Sequence, residues 1–231
     1  DALIRQGKRF IVLSDRDSNA ELAPIPSLLL CSAVHHHLVR EKTRTMVGLL
    51  VEAGDVREVH HVALLIGYGA SAVNPYLAFE TIADLHKEGI IPKELAIEVA
   101  KKNYIKAANK AILKVASKMG ISTVDAYCGA QIFEIVGLRG EIVDRFFEGT
   151  ASHLDGIGLK EIAEAVLVWH QLAYPNKAAL DSPGFYKFKR EGELHAYNPA
   201  VVKALAAAPH LPGTGRPSRP FPPSTRGWQR E

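Results

Sequence analysis

The sequence predicts an α/β fold in which βαβ units build a short parallel sheet, giving a rudimentary or partial (β/α) barrel or a small open sheet. Strand-like and helix-like segments alternate along residues 1–174, as in right-handed βαβ units. The strand-like segments are apolar throughout, which is typical of strands covered on both faces. Small and hydroxyl-bearing residues stand where strands should give way to helices, the edge at which α/β proteins usually keep their sites.

The first βαβ unit occupies the beginning of the chain. Lys8–Ser14 is a β-branched, apolar run that ends in the turn-forming stretch Asp15–Asn19, and Thr45–Ala53 is a second strand of the same kind. Between them we predict a helix over Pro26–Glu41, because proline suits a first helical turn and the apolar residues recur on one face.

The alternation then continues. Val56–Ile66 is predicted to be a helix, with Asp55 as its N-cap. Ser71–Asn74 is the end of a minimal strand, and Pro75–Glu88 is a helix that stops at Gly89.

A long helix is predicted over Pro92–Met119, broken near Asn103–Tyr104 and ended by Gly120. Ile121–Ala126 is predicted to be the next short strand.

Shorter elements follow. We expect short helices over Gln131–Val136 and Glu141–Phe147 and a longer helix over Leu159–Leu172. Asn198 should open a short alanine-rich helix that runs to Ala208.

Changes in residue composition along the chain predict three regions: an α/β domain over 1–174, a linker over 175–208, and a disordered Pro/Arg-rich tail over 209–231. The tail holds four arginines against one glutamate, so the excess positive charge belongs to it and the body is neutral. We therefore expect no nucleic-acid partner for the fold. No apolar run approaches the ~20 residues of a membrane span, so no membrane partner is expected either.

The candidate metal and thiol sites have simpler explanations. Three adjacent histidines at 35–37, and two at 60–61, point about 100° apart on a helix, so neither group can converge on one ion. The two cysteines, Cys31 and Cys128, stand among apolar or small residues and suggest buried thiols in a reducing cytosol. A nucleophilic Cys128 lacks a histidine near it in sequence.

Two glycine-rich segments are the candidates for a phosphate loop. Gly67–Ala70 lacks the third glycine of a dinucleotide fingerprint and follows a helix. Gly149–Gly158 precedes a helix N-terminus, where an anion can bind, although a loop capped by Asp155 or Thr150 is the simpler interpretation.

Several long segments together resemble the central domain of the large subunit of glutamate synthase, continuing into the start of its flavin domain. They lie in the family's order over most of residues 8–208. The matching segments are FIVLSDR (Phe10–Arg16), APIPSLL (Ala23–Leu29), AVHHHLVRE (Ala33–Glu41), REVHHVALLIGYGASAVNPYLAFETI (Arg57–Ile82), KVASKMGISTVDAYCGAQIFE (Lys114–Glu134), FEGTASHLDGIGLKEIAEA (Phe147–Ala165) and GFYKFKREGELHAYNPAVVKAL (Gly184–Leu205).

The resemblance implies a fold that is a rudimentary relative of the flavin barrel and a scaffold role between two active sites. In the complete enzyme, an amidotransferase domain releases ammonia from glutamine, and the ammonia travels through an internal channel. A flavin barrel then uses it, with 2-oxoglutarate and reductant, to make glutamate. The resemblance implies FMN and an iron–sulfur cluster for that enzyme and neither cofactor in this segment. It implies partners that are the amidotransferase and FMN-barrel domains, in cis or as separate chains, and a cytoplasmic location.

Two departures from the family stand out. The family's catalytic N-terminal cysteine and its cluster ligands have no match in this sequence, and after Ala208 the chain runs into Pro/Arg-rich sequence instead of a barrel. We therefore expect a fragment, a split subunit or a remnant that does not make glutamate alone.

Polar residues at the predicted strand–helix edges are the candidates for channel lining or domain contact, with capping or turn duty as the simpler alternative. They are Asn74, Tyr76, Ser117, Lys118, Ser122, Thr123, Tyr127, Thr150 and Ser152. Two other functions stay open: a stand-alone interaction protein tethered by its basic tail, and a small flavin-binding protein derived from this fold.

Overall fold

The described part of the chain contains two short parallel sheets. The computed structural model describes residues 1–174 and 198–207, which fall in two compact units, Asp1–Ala178 and Ala179–Glu231. The described elements are α1 (Ala2–Arg5), β1 (Phe10–Ser14), α2 (Ser27–Arg40), a 3-10 turn (Arg44–Met46), β2 (Gly48–Glu52), α3 (Val59–Gly67), β3 (Ala72–Asn74), α4 (Tyr76–Lys87), α5 (Ile97–Lys118), α6 (Val124–Tyr127), β4 (Glu134–Leu138), α7 (Gly140–Phe146), β5 (Ala151–Ile157), α8 (Leu159–Ala173) and α9 (Pro199–Ala207).

The larger sheet has the order β1-β2-β3 with all strands parallel. Leu49 and Val51 of β2 are buried on its inner face, where α2 and α3 pack against them. Cys31 of α2 and Leu65 of α3 complete this core, and α5 packs on the outer side of α3. The crossover helices α2 and α3 therefore lie on one side of the sheet, as right-handed βαβ connections require.

The smaller sheet consists of β4 and β5, also parallel. Within residues 1–174 and 198–207 the strands do not close into a barrel. The predicted α/β class, with βαβ units and a partial barrel-like sheet, is therefore confirmed. No helix in these ranges is long and apolar enough to cross a membrane.

Most predicted elements of the first ninety residues are present within a few residues of their expected bounds. Asp55 is the exception, because it does not cap α3. That helix begins at Val59, after Glu58, and the Asp55 carboxylate accepts the backbone N–H of Ser27 at 3.0 Å instead. The aspartate thus supports the start of α2.

The predicted break in the long helix is wrong: α5 runs without interruption from Ile97 to Lys118. Tyr104, at the expected break, points toward the neighbouring helices. Its hydroxyl donates to the carbonyl of Arg57 at 2.9 Å, and its ring meets Phe79 edge-on at 5.7 Å. A residue anchored in this way continues a helix, and the run contains no proline to kink it.

Three predictions beyond Gly120 are also wrong. Ile121–Ala126 is a turn leading into α6, and most of Gln131–Val136 precedes or forms strand β4 instead of a helix. The glycine-rich stretch 149–158 is largely strand β5. The β-branched pair Ile135 and Val136 favours a strand once a partner is available, which local periodicity alone does not reveal. The linker and tail predictions over 175–197 and 208–231 lie outside the described residues, whereas the helix expected after Asn198 is α9.

The β4–β5 pair is irregular, with register shifts around Val136. Gly137 adopts a left-handed backbone (φ 80°), and a Cβ on Gly156 would collide with the Gly137 backbone. Two glycines therefore let the bulged strands approach each other.

We predict that Gly156→Ala destabilises the protein by about 1–3 kcal/mol, because backbone atoms of β4 must move to admit the methyl group. The free energy of unfolding from urea titrations measures this. Gly140→Ala is the matched control, because nothing lies within 4 Å of its added Cβ. Equal stability of the two variants would contradict the steric account.

Candidate functional site

The last residues of three parallel strands meet at one edge of the larger sheet. Ser14, Glu52 and Asn74 end β1, β2 and β3, and the register places them side by side. The Glu52 carboxylate accepts hydrogen bonds from Ser14 Oγ and Arg16 Nε, each at 2.7 Å. Asn74 Nδ2 donates a third at 3.1 Å. We call Ser14, Arg16, Glu52 and Asn74 the edge cluster.

Tyr76 contacts the edge cluster through the side chain of Arg16. The Arg16 guanidinium lies 4.1 Å from the centre of the Tyr76 ring, and its Nη1 lies 3.5 Å from Glu80. Burial, with a hydrogen bond to Asp15, raises the pKa of Tyr76 to about 12. Hydrogen bonds from Arg16 and Ser14 lower the pKa of Glu52. Tyrosine and glutamate are therefore held in their neutral and ionised forms, respectively, which suits a structural clamp better than proton transfer.

A cleft of about 350 Å³ lies between α2, the end of α3 and the segments that lead into β4 and β5. We call it the junction cleft; its walls include Tyr68, Tyr127, Ala130, Phe133, Gly149 and Thr150.

Two predicted site residues, Tyr127 and Thr150, belong to the junction cleft. Thr150 is 8% exposed, and its Oγ1 lies 2.8 Å from the Tyr68 hydroxyl. The Tyr127 hydroxyl donates to the carbonyl of Ala63 at 3.1 Å. The structure thus brings together two predicted residues that are far apart in sequence.

His35 lines one side of the junction cleft, and Arg44 holds its ring in place. Arg44 Nε donates to His35 Nδ1 at 2.9 Å, and its other nitrogens donate to the carbonyls of Val47 and Gly69. Gly69 has φ 109°, and a Cβ there would collide with the imidazole. Burial, followed by the charge of Arg44, lowers the pKa of His35 to about 4, so its ring is neutral near pH 7.

A second hollow, of about 220 Å³, lies at the end of α5 and contains four of the predicted residues. We call it the helix-end notch; the four are Ser117, Ser122, Thr123 and Tyr127. Thr123 Oγ1 accepts the N–H of Ala126 at 3.2 Å, so this hydroxyl caps α6. Tyr127 is 1% exposed and lines both the notch and the junction cleft.

The remaining two candidates stand apart from these groups. Lys118 is exposed at the last turn of α5, and Ser152 lies in β5 opposite Ile135. Sequence reasoning missed Ser14, Arg16 and Glu52. The signal was available, because Ser14 and Glu52 lie at or near the ends of predicted strands and parallel strands end at a shared edge.

The comparisons with known proteins agree on one family. A family model described as the glutamate synthase central domain matches residues 1–139. The NADPH glutamate synthase large chain of Bacillus subtilis is 46% identical over 204 residues, 87% of this chain and 13% of that protein. The NADH enzyme of Schizosaccharomyces pombe is 42% identical over 213 residues, 90% of this chain and 10% of that protein. The ferredoxin-dependent enzyme 2 of Arabidopsis thaliana is 41% identical over 221 residues, 90% of this chain and 14% of that protein.

This chain belongs to the glutamate synthase central-domain family. It spans only about 10–14% of the length of these curated relatives. The resemblance inferred from the sequence is thereby confirmed. The edge cluster and the helix-end notch lie inside the stretch matched by the family model, whereas Thr150 and Ser152 lie just beyond it.

The described part of this glutamate synthase central domain does not fit an iron–sulfur cluster. Within it, no group of three or more His, Cys, Asp or Glu residues is placed to hold a metal ion. Burial raises the pKa of Cys31 to about 12 and also raises the pKa of Cys128. Both thiols are therefore protonated near neutral pH, which disfavours metal ligation and nucleophilic attack.

The predicted anion site before α8 does not fit a flavin phosphate. The N–H of Gly158 donates to Glu161 Oε2 at 2.8 Å, so a carboxylate of the same helix already fills that position. Hydrogen bonds from the backbone at 158 and 161 lower the pKa of Glu161. A bound phosphate would have to displace this negative charge.

We predict that the free energy of unfolding rises with pH between about 4 and 6.5, partly through His35. In this window the unfolded chain binds a proton at His35 and the folded chain does not, so raising the pH favours folding. His35→Asn keeps an acceptor near the position of Nδ1 and does not titrate, and should therefore flatten the slope. Urea titrations at several pH values measure it.

His37→Asn is the matched control for this slope. His37 lies on the same helix with 48% of its side chain exposed, and its Nε2 lies 3.2 Å from Asp1 Oδ2 at the surface. If His37→Asn reduces the pH slope of the free energy of unfolding as much as His35→Asn does, the role assigned to the buried His35 imidazole is contradicted.

We also predict that Glu52→Gln lowers the urea midpoint more than Glu80→Gln does. Glu52 accepts three hydrogen bonds from neighbouring strand ends, whereas Glu80 is 60% exposed and makes one long contact of 3.5 Å to Arg16. The difference between the urea midpoints of the wild-type protein and Glu52→Gln should become smaller as the pH falls. The lowered pKa of Glu52 means that the carboxylate stabilises the fold, and this stabilisation is lost when Glu52 is protonated. Identical midpoints for both variants at pH 7 would rule out the clamp.

Proposed function

We propose that this chain is the connecting domain of a glutamate synthase, holding an amidotransferase site and a flavin site in fixed relation. The observation that carries the proposal is the family match over residues 1–139, in a chain whose edge cluster is held together by internal hydrogen bonds. A scaffold needs such clamps, and the glutamine-dependent chemistry then takes place elsewhere in the enzyme.

The complete enzyme would convert glutamine, 2-oxoglutarate and reductant into two molecules of glutamate. FMN and an iron–sulfur cluster would be held by the neighbouring domains, where flavin supplies hydride-level reduction. The relatives' names mention NADPH, NADH and ferredoxin, so the electron donor depends on the host enzyme. We place this chain in the cytoplasm, inactive as an oxidoreductase unless joined to those domains.

We further propose that the junction cleft forms part of the ammonia channel. Its wall combines small residues such as Gly67 and Ala130 with the paired hydroxyls of Tyr68 and Thr150. The neutral imidazole of His35 adds no positive charge to this wall near pH 7. Such a lining gives a small uncharged molecule hydrogen-bonding partners.

The helix-end notch is the weaker candidate for the channel. Thr123 already caps α6, and Ser117 and Ser122 are exposed. We assign these residues to domain contact, together with Lys118, Ser152, Asn74 and Tyr76.

A second function, a stand-alone interaction protein, is favoured by α8. Trp169 is 74% exposed and Leu172 is 72% exposed, and large apolar side chains of this kind commonly mark protein contacts. The same surface would also serve a connecting domain, and the family match supports the scaffold proposal.

Ala130→Leu, made in a complete glutamate synthase large chain whose central segment is this sequence, tests the channel. The larger side chain should narrow the junction cleft and raise the ratio of glutamine hydrolysed to glutamate formed by about twofold or more. Paired assays of glutaminase activity and glutamate synthesis measure the ratio.

Ala126→Leu is the matched control, because Ala126 is exposed and outside the cleft. Thr123→Leu, measured in the same assay, tests whether a larger side chain in the helix-end notch changes the ratio of glutamine hydrolysed to glutamate formed. An unchanged ratio in Ala130→Leu, with normal glutaminase activity, would contradict the channel assignment.

A further inference from the structure

One face of the larger sheet is not covered by the described residues. Strand alternation turns Ile11, Leu13, Leu49, Val51 and Val73 toward the helices, where they pack in the core. The opposite side chains form what we call the open face; its main members are Phe10, Val12, Ser14, Leu50, Glu52 and Asn74.

The open face is apolar over most of its length. Phe10 is 71% exposed and Val12 is 59% exposed, and the register places them beside Gly48 and Leu50. The Phe10 ring lies over Gly48, where a Cβ would come within 3.2 Å of it. Parallel sheets are normally covered on both faces, so this surface is suited to a partner.

The size of the open face suits one helix. The five-residue strands β1 and β2 are about 17 Å long, β3 has three residues, and the three strands together are about 15 Å wide. The outline is therefore at most roughly 250 Å². A stable protein–protein interface needs ~800 Å² from each partner, so a second copy of this chain packed on the open face alone would bury too little. A helix about 10 Å across covers the same outline with about three turns.

Charge gives the open face a direction. Lys8 and Arg9 precede β1 at one end. At the other end the carboxylates of Glu52 and Glu80 flank the single guanidinium of Arg16. A helix lying antiparallel to the strands places its positive N-terminal end over the two carboxylates and its negative C-terminal end over the two cations.

We propose that the open face binds an amphipathic α-helix of about three turns, antiparallel to β1, with a lysine or arginine near its N-terminal end. The inference rests on the proposed scaffold role in one respect, namely that the helix comes from a neighbouring domain of the enzyme. Phe10, Val12 and Leu50 receive its apolar stripe, and the basic side chain lies over Glu80 and Glu52.

Photo-cross-linking tests this in a complete large chain whose central segment is this sequence. Val12 is replaced by p-benzoylphenylalanine, the protein is irradiated, and the linked peptide is identified by mass spectrometry. We expect a peptide from outside this chain, with apolar residues at i, i+3 and i+4, and a lysine or arginine within about two turns on its N-terminal side. The same replacement at Leu113, which is 63% exposed on α5, is the control and should not link to that peptide.

Charge reversal provides the second readout. Glu80→Lys should lower the cross-linking yield from position 12 by about threefold or more, because it places a cation beside the basic end of the helix. Glu98→Lys, at a 77% exposed glutamate of α5, should leave the yield unchanged. A link to a second copy, to a segment without apolar periodicity, or to no peptide would overturn the inference, as would equal yields from the two reversals.

The outcomes separate this inference from the proposed channel. A helical cross-link together with an unchanged Ala130→Leu ratio would support the inference and contradict the channel. A raised ratio of glutamine hydrolysed to glutamate formed in Ala130→Leu, without a helical cross-link, would support the channel and contradict the inference.

Discussion

The structure depends on the burial of one face of β2. Leu49 and Val51 are 0% and 2% exposed, and the helices that cover them fix the positions of β1 and β3 on either side. Because a strand alternates, burying these two residues turns Leu50 and Glu52 to the other face. The polar strand ends and the apolar open face therefore follow from one packing choice.

A few hydrogen bonds join the smaller sheet and its loops to this core. Ser32 Oγ of α2 donates to the carbonyl of Phe146, and the N–H of Gly129 donates to the carbonyl of Gly67 at 2.9 Å. With the bond from Tyr127 to Ala63, these contacts tie residues beyond 126 to α2 and α3. The junction cleft lies among these contacts, between α2, the end of α3 and the segments that lead into β4 and β5.

Sequence reasoning succeeded where a pattern is local. The run Lys8–Ser14 and the helix from Pro26 need no distant partner to be recognised, and both are present as β1 and α2. It failed where a distant contact decides, as for the strand β4 and for Tyr104 within α5. In the site, Tyr127 and Thr150 were identified as polar residues near turns. Thr150 bonds to Tyr68, Tyr127 bonds to Ala63, and Arg16 bonds to Glu52. Each of these bonds joins residues more than thirty positions apart, which periodicity does not encode.

The Tyr127 side chain separates the junction cleft from the helix-end notch. Its ring borders the junction cleft on one side and the helix-end notch on the other, and its hydroxyl is tethered to α3 through Ala63. The two volumes are consequently not independent: a rotation of the ring that widens one space narrows the other, and it must first break the tether. The protein thus couples the shape of the junction cleft to that of the helix-end notch through a single aromatic side chain.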